Sequence, residues 1–292
     1  MNQNRAAYYI MKPEGKKVIT PEDITAFVKT YEPIYFLPEM QDEANNVLNF
    51  FGVSQSRRWI EEDMEALLGI GELKKATWEK SDVIHILAWK MGRINHLESE
   101  NRDNYKFTGN DEKKGKISWS DGRRYDFYRA NNRSGDIKHV SEFADCVLKL
   151  KENYSRKDYI NHPKDLLKEL RETLQVDTQN KVTGIGSVYL ITILYFISGG
   201  KYPIYDQFAA MALRAILEGN KPGTSVLVKD LPDKNSNSFL NMLDNPKSAY
   251  REYISMLEKV SELYYNGDKD GYQKDRSLDR ALWVYGHLFT QQ

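Results

Sequence analysis

The sequence has very little cysteine and no net charge. Its 292 residues include one cysteine, Cys146, and 42 basic residues balanced by 42 acidic ones. A single thiol excludes an internal disulfide, a cysteine-rich zinc site and a four-cysteine iron-sulfur cluster. Zero net charge excludes a global positive field, so a nucleic-acid surface would have to be a local patch.

Long apolar runs and metal-binding motifs are missing as well. Residues 1–17 contain no apolar run of signal-peptide length, and the longest apolar stretch, 188–197, is too short to cross a bilayer. We therefore expect a soluble, cytoplasmic chain without a membrane partner. The histidines show no ligand spacing, which predicts no metal site built from side chains. They are His85, His96, His139, His162 and His287.

Helix signals dominate what is present. Thr20 precedes Pro21 and two acids, a combination that predicts a capped helix start. Apolar periodicity predicts further helices over 40–52, 59–68, 81–98, 138–152, 163–174, 206–218, 239–264 and 277–289. With 40% hydrophobic residues, the chain can bury one or two cores. These patterns predict a mainly α fold.

A basic, aromatic segment interrupts the helical pattern. Residues 117–130 carry an Asp-Gly turn between aromatic flanks, which is typical of a β-hairpin. From Tyr105 to His139 there are nine Lys/Arg, five Asp/Glu and six aromatic residues. This segment is either a nucleic-acid surface, in which Arg123 and Arg124 contact the DNA backbone, or a solvated hairpin with a half-buried aromatic face.

Three regions are therefore expected along the chain. They are an N-terminal helical region over 1–104, a basic aromatic β-hairpin insertion over 105–137, and a second helical region over 138–292. The loop 219–238 is rich in polar residues, Gly and Pro, which predicts a flexible connection.

The segment VTGIGSVYLITILYFISGGKYPIYDQ, residues 182–207, is the most informative part of the sequence. The glycines of its Gly-Ile-Gly turn allow a close backbone approach and leave amides at the start of the next helix, which suits a phosphate. Thr183 is placed to cap that helix. Together with the amphipathic helix before it, the segment predicts a helix-hairpin-helix over 163–200. A helical hairpin that only packs is the alternative.

The segment resembles the helix-hairpin-helix DNA glycosylases, the superfamily of endonuclease III, adenine glycosylase and 8-oxoguanine glycosylase. Their shared element is a Leu-Pro-Gly-Val-Gly hairpin, a helix, a Gly/Pro loop and a catalytic Asp. Residues 182–186 match the hairpin, residues 198–203 match the loop, and Asp206 lies 22 positions after Gly184. The resemblance covers 163–214 and implies a two-lobed helical fold. The chain departs from it at 207–209, where Gln-Phe-Ala replaces small-His/Asn-Val.

The resemblance also implies a binding site for double-stranded DNA. The hairpin residues that would contact the DNA backbone are Thr183, Gly184, Ile185, Gly186 and Ser187. A structural monovalent cation, Na+ or K+, would bind the carbonyls of Thr183, Gly184 and Gly186, and no iron-sulfur cluster is expected.

Asp206 is the implied catalytic residue. Cleavage of a base-sugar bond builds positive charge on the sugar, which a carboxylate stabilises while it orients or deprotonates the attacking water. The alternative role for Asp206 is an N-cap. Bifunctional members carry a lysine where this chain has Val188, which cannot form a Schiff base. Lys201 is a minor candidate for such an amine.

An extruded base also needs a wedge and a pocket. The candidates for these roles are Trp89, Lys90, Tyr205 and Trp283, and Trp89 and Trp283 can equally be core residues. The leading function is a monofunctional DNA N-glycosylase that hydrolyses the bond to a modified or damaged base. A catalytically silent nucleic-acid binder and a structural or interaction protein are the alternatives.

Overall fold

The computed structural model describes residues 19–36, 54–70, 74–90, 116–118, 124–126, 140–154, 159, 161–173, 185–218 and 231–290. These residues are mainly helical, which confirms the predicted class. None of the described helices has both the length and the apolar character that a membrane crossing requires. The predicted helix 40–52 and the end of the predicted helix 81–98 lie outside the described residues.

Ten α-helices and two short 3-10 helices are described. The α-helices are α1 (Pro21–Tyr31), α2 (Ser54–Leu68), α3 (Lys80–Lys90), α4 (Val140–Asn153), α5 (Pro163–Glu172), α6 (Ser187–Ile197), α7 (Gln207–Glu218), α8 (Asn237–Asn241), α9 (Ala249–Tyr264) and α10 (Ser277–Thr290). The 3-10 helices are Pro33–Phe36 and Gly271–Gln273.

The start of α1 follows its sequence signal. The Thr20 hydroxyl accepts the Asp23 amide at 3.2 Å, and the Thr20 amide donates to the Asp23 carboxylate at 3.0 Å. Pro21 occupies the first helical position, where its missing N–H has no intrahelical acceptor. The predicted cap is confirmed as a reciprocal capping box.

The predicted single helix over 239–264 is wrong. The structure has α8 and α9 separated by 242–248. Pro246 lies in this gap and has no amide to donate to a helical ladder, and it disfavours helical geometry at Asn245. The Ser248 hydroxyl then accepts the Arg251 amide at 3.1 Å and starts a new helix.

Two short strands are described in the segment predicted to form the hairpin. β1 (Lys116–Ser118) pairs antiparallel with β2 (Arg124–Asp126), and Ile117 lies opposite Tyr125. The turn between them, 119–123, lies outside the described residues, as do most of the residues of the predicted insertion 105–137. The insertion as a whole stays a prediction.

The chain forms two compact units. The first combines Met1–Ala44, Tyr205–Asp230 and Asn245–Gln292, and the second combines Asn45–Ile204 and Leu231–Asp244. The three regions expected from the sequence follow chain order, whereas each compact unit joins segments that are distant along the chain.

The first unit has an aromatic core. Phe27 and Tyr31 of α1 and Tyr285 of α10 contact one another, with ring centroids 5.0 to 5.4 Å apart. A side chain at Gly286 would overlap the Phe208 carbonyl, so α10 passes directly against the start of α7. On α10, the side chains of Leu278, Leu282 and Tyr285 are buried, while the side chain of Phe289 lies outside the described part.

In the second unit, α6 is the central helix. All residues from Leu190 to Ile197 are buried, and the helix packs on α2, α3, α4 and α5. The Phe196 ring meets the Trp89 indole edge to face, with centroids 5.8 Å apart. An apolar helix surrounded by other helices gains burial on every side, which explains why its residues show no polar face.

Candidate nucleic-acid interface and catalytic residue

The second half of the glycine hairpin leads directly into α6. Gly186 is the N-cap of this helix and has extended backbone angles, φ −95° and ψ −176°. Thr183 and Gly184 lie outside the described residues. The expectation that Thr183 caps α6 is wrong, because the helix begins at Ser187 and the cap position is three residues beyond Thr183.

The N-terminus of α6 has no side-chain cap. The first amides of any helix lack an intrahelical acceptor, and Gly186 has no side chain to accept them. Hydroxyl groups of Thr20, Ser236 and Ser248 perform that role for α1, α8 and α9. A Cβ atom added at Gly186 would meet no atom of the described residues within 4 Å. An anion can therefore approach the backbone at this end of the helix.

Contacts with the segment 231–236 hold the end of the hairpin in place. The Lys234 ammonium donates to the Ile185 carbonyl at 2.5 Å, and the Ser187 hydroxyl donates to the Pro232 carbonyl at 2.6 Å. These contacts fix both sides of Gly186 and bring a positive charge to the hairpin. Sequence reasoning assigned 231–236 to a flexible loop, because contacts with backbone carbonyls leave no periodic signal.

The Gly186 carbonyl, one of the three expected to bind a monovalent cation, takes part in the first turn of α6. That carbonyl accepts the amides of Tyr189 at 3.2 Å and Leu190 at 3.3 Å, so it points along the helix. The neighbouring Ile185 carbonyl already binds an ammonium group. The carbonyls of Thr183 and Gly184 lie outside the described residues.

Val188 lies in the first turn of α6 and is the exposed position of this helix. Its side chain is 36% exposed, whereas every residue from Leu190 to Ile197 is buried. The reason is position, since the first turn projects beyond the surrounding helices while the later turns are enclosed. The residue at the family's lysine position is therefore accessible and apolar.

Asp206 caps α7. Its carboxylate oxygen Oδ1 accepts the Phe208 amide at 2.8 Å and the Ala209 amide at 3.4 Å. The side chain is half-buried. The capping contact that the sequence offered as the alternative role is present in the structure, and it fixes the direction of the carboxylate. Capping and catalysis use the same group and have to be separated by substitution.

The residue before Asp206 packs on a buried tyrosine. Tyr205 is buried and packs its ring edge to face on Tyr253 of α9, with centroids 5.3 Å apart. Burial raises the pKa of the Tyr253 phenol well above its usual value, and Asp279 and Asp206 raise it further. Sequence reasoning missed Tyr253, because it occupies an apolar stripe position that looks like any other core position.

The other candidates for the wedge and the base pocket differ in burial and in contacts. Trp89 is buried and its indole N–H donates to the Glu61 carboxylate at 2.9 Å, which favours the packing interpretation over a wedge. Lys90 is half-buried at the end of α3. Trp283 is half-buried, and its ring centroid lies 3.9 Å from that of His287.

The structure describes the basic candidate residues only in part. Lys201 is exposed, and its ammonium lies 5.7 Å from the centroid of the Tyr202 ring. Arg123 lies outside the described residues, and only the backbone of Arg124 is described. Within the described part of the chain, no group of three or more His, Cys, Asp and Glu side chains could hold a metal ion.

Comparison of the chain with protein-family models, with curated proteins and with solved structures gave no match. The resemblance to the glycosylases therefore depends on the motif residues alone.

Proposed function

We propose that the protein is a monofunctional DNA N-glycosylase of the helix-hairpin-helix kind, with a two-lobed helical fold. One observation carries the proposal: an uncapped glycine N-terminus on the buried helix α6 is followed, at the glycosylase spacing, by an aspartate fixed at the start of α7. The substrate class is double-stranded DNA that contains a modified or damaged base.

The hairpin supplies the proposed DNA contact. Amides at the start of α6 donate to a backbone phosphate, and the helix dipole favours the negative charge there. The Lys234 ammonium adds a positive charge beside Ile185 and holds the loop in place. These groups contact phosphate rather than base edges, so they position the DNA without reading its sequence.

Asp206 supplies the proposed chemistry. The extruded nucleotide loses its base through a transition state with positive charge on the sugar, which the carboxylate stabilises. The carboxylate also takes a proton from the attacking water. Val188 has no amine, so the reaction is hydrolysis and leaves an intact abasic strand.

A duplex panel with different damaged or modified bases tests the proposal. The expected product is free base together with a strand that breaks only after alkali. Borohydride should trap no covalent protein-DNA adduct, because no lysine acts as nucleophile. A trapped adduct through Lys201 would contradict the monofunctional assignment.

A catalytically silent nucleic-acid binder is the second candidate, and the capping contact of Asp206 favours it. An aspartate that only caps α7 would leave the hairpin as a phosphate contact without chemistry. Such a protein would bind duplex with an affinity that falls steeply with salt but would release no base. If binding is absent at low salt, the hairpin only packs helices and the protein is structural.

A further inference from the structure

The start of α7 is held against α10 by a contact between the two backbones. A Cβ atom built on Gly286 of α10 would lie 2.2 Å from the Phe208 carbonyl oxygen and 2.9 Å from the Phe208 Cα. Both distances are shorter than Cβ atoms adopt in folded proteins, so only glycine permits this approach. Gly286 therefore lets α10 lie directly on the first turn of α7.

A stack of aromatic rings reinforces this backbone contact. The Phe208 ring lies on the His287 imidazole with centroids 3.7 Å apart, and the His287 ring lies 3.9 Å from the Trp283 ring. His287 Nδ1 is 2.8 Å from the Trp283 carbonyl oxygen, which can only accept, so Nδ1 carries a proton and donates to it. The Trp283 ring in turn meets the buried Tyr35 edge to face, with centroids 5.4 Å apart. Phe208 is therefore fixed by its ring as well as by its backbone.

Phe208 is also the residue that holds the Asp206 carboxylate. Its amide donates to Asp206 Oδ1 at 2.8 Å, the shorter of the two hydrogen bonds that cap α7. A movement of the Phe208 backbone is therefore transmitted to the carboxylate through one hydrogen bond. Gly286, His287, Phe208 and Asp206 all belong to the first unit, so the path from α10 to the carboxylate lies within one compact body.

We propose that Gly286 and His287 are positioning residues for Asp206: they hold Phe208, and Phe208 directs the carboxylate. This inference rests on the proposed glycosylase function, in which the carboxylate has to face both the sugar cation and the attacking water. Orientation of this kind decides rates, since a displacement of about 1 Å can slow an enzyme by about 10²-fold. In this role neither residue contacts DNA, and both act through Asp206.

Gly286→Ala and Gly271→Ala form a matched pair. In Gly286→Ala the Phe208 backbone has to move away from the new Cβ, which should displace the carboxylate and lower the single-turnover rate of base release by about 10²-fold. In Gly271→Ala the new Cβ would lie 2.3 Å from Cγ of Tyr265, so this variant is strained in the same unit but does not press on α7. It should release base at the parent rate. Duplex affinity should be unchanged in both variants, because the proposed phosphate contacts belong to α6.

Substitutions of His287 test the same path without a steric overlap. His287→Ala removes the ring that supports Phe208 and should lower the rate by about tenfold, whereas His287→Phe keeps a ring there and should retain most of the parent rate. In the Asp206→Ala background, His287→Ala should lower the residual rate no further, because no carboxylate remains to be positioned. A general loss of packing would instead lower the rate by the same factor in both backgrounds.

Hydrogen exchange of the Phe208 amide is a readout that does not depend on activity. This amide should exchange faster in His287→Ala than the global stability of the variant allows, because its bond to Asp206 Oδ1 is loosened, and Gly271→Ala should show no such local opening. The His287 variants decide the question on their own if Gly286→Ala does not fold.

Two results would overturn this inference alone. One is an active parent whose base release and Phe208 exchange are both unchanged in His287→Ala. The other is an equal fall of the rate in the parent and Asp206→Ala backgrounds, which would assign His287 to packing. A parent that releases no base would overturn the glycosylase function and this inference with it.

Discussion

Asparagine at position 206 separates the two roles of the aspartate. Asn is as good an N-cap as Asp, because its side-chain oxygen accepts the same amides. It cannot carry the negative charge that stabilises the sugar cation or accept a proton from water. Asp206→Asn should therefore keep the helix cap and lose the chemistry, whereas Asp206→Ala should lose both.

The structure sets the expected magnitudes. The Asp206 oxygen accepts amides at 2.8 Å and 3.4 Å, the pattern of an ordinary cap, so alanine should lower the free energy of unfolding by about 1 kcal/mol. Asparagine should change the free energy of unfolding by only about a few tenths of a kcal/mol. Both variants should lower the single-turnover rate of base release by about 10² or more, because general-base and electrostatic contributions are each of that order.

Ser248→Ala is the matched control for this prediction. Ser248 caps α9 through the Arg251 amide at 3.1 Å, so its loss should cost about 1 kcal/mol of stability and leave base release unchanged. Denaturant unfolding and single-turnover base release are measured on all four proteins. Full activity in Asp206→Asn would refute the catalytic assignment and leave a cap. Unchanged stability in Asp206→Ala would refute the capping geometry.

Three further substitutions address the hairpin, the family's lysine position and a buried phenol. Gly186→Val should fold like the parent, since its Cβ meets no atom of the described residues within 4 Å, and it should weaken duplex binding by obstructing the approach of a phosphate. Equal binding by the folded variant would rule out the phosphate contact at the start of α6. Val188→Lys places an amine at an accessible position and should yield a borohydride-trapped DNA adduct that the parent does not form; failure to trap in a folded, DNA-binding variant would count against the family alignment. Burial raises the pKa of Tyr272 to about 12, so its stabilising contribution is complete below about pH 10 and is lost as the pH rises towards 12, at up to about 1.4 kcal/mol per pH unit. Tyr272→Phe should flatten that alkaline loss in denaturant titrations between pH 8 and pH 11, and an identical slope would contradict the assignment.

Sequence reasoning succeeded where a local signal decides the structure. Thr20 and Pro21 predict a helix start because capping involves residues within one turn. The buried body of α6 follows from its unbroken apolar composition. The prediction of one helix over 239–264 is wrong because apolar periodicity continues across Pro246, which has no amide for the helical ladder and interrupts the helix there.

The contacts around the candidate site depend on residues that are distant in sequence. Lys234 binds the Ile185 carbonyl although the two residues are 49 positions apart in the sequence. Neither residue type indicates such a contact in advance. Tyr253 matches the apolar stripe of α9, so only the structure shows that its hydroxyl has no hydrogen-bond partner among the described residues. Asp206 was found by spacing, but spacing does not distinguish a cap from a catalytic base.

Mass spectrometry of free bases is the most direct test of the central claim. Duplex DNA that has been alkylated, oxidised or deaminated is incubated with the parent protein and with Asp206→Asn, and every released base is identified. The glycosylase account predicts that the parent releases at least one modified base, leaves abasic strands intact until alkali is added, and loses this activity in Asp206→Asn. It is contradicted if the folded, DNA-binding parent releases no base above the level of DNA incubated without protein.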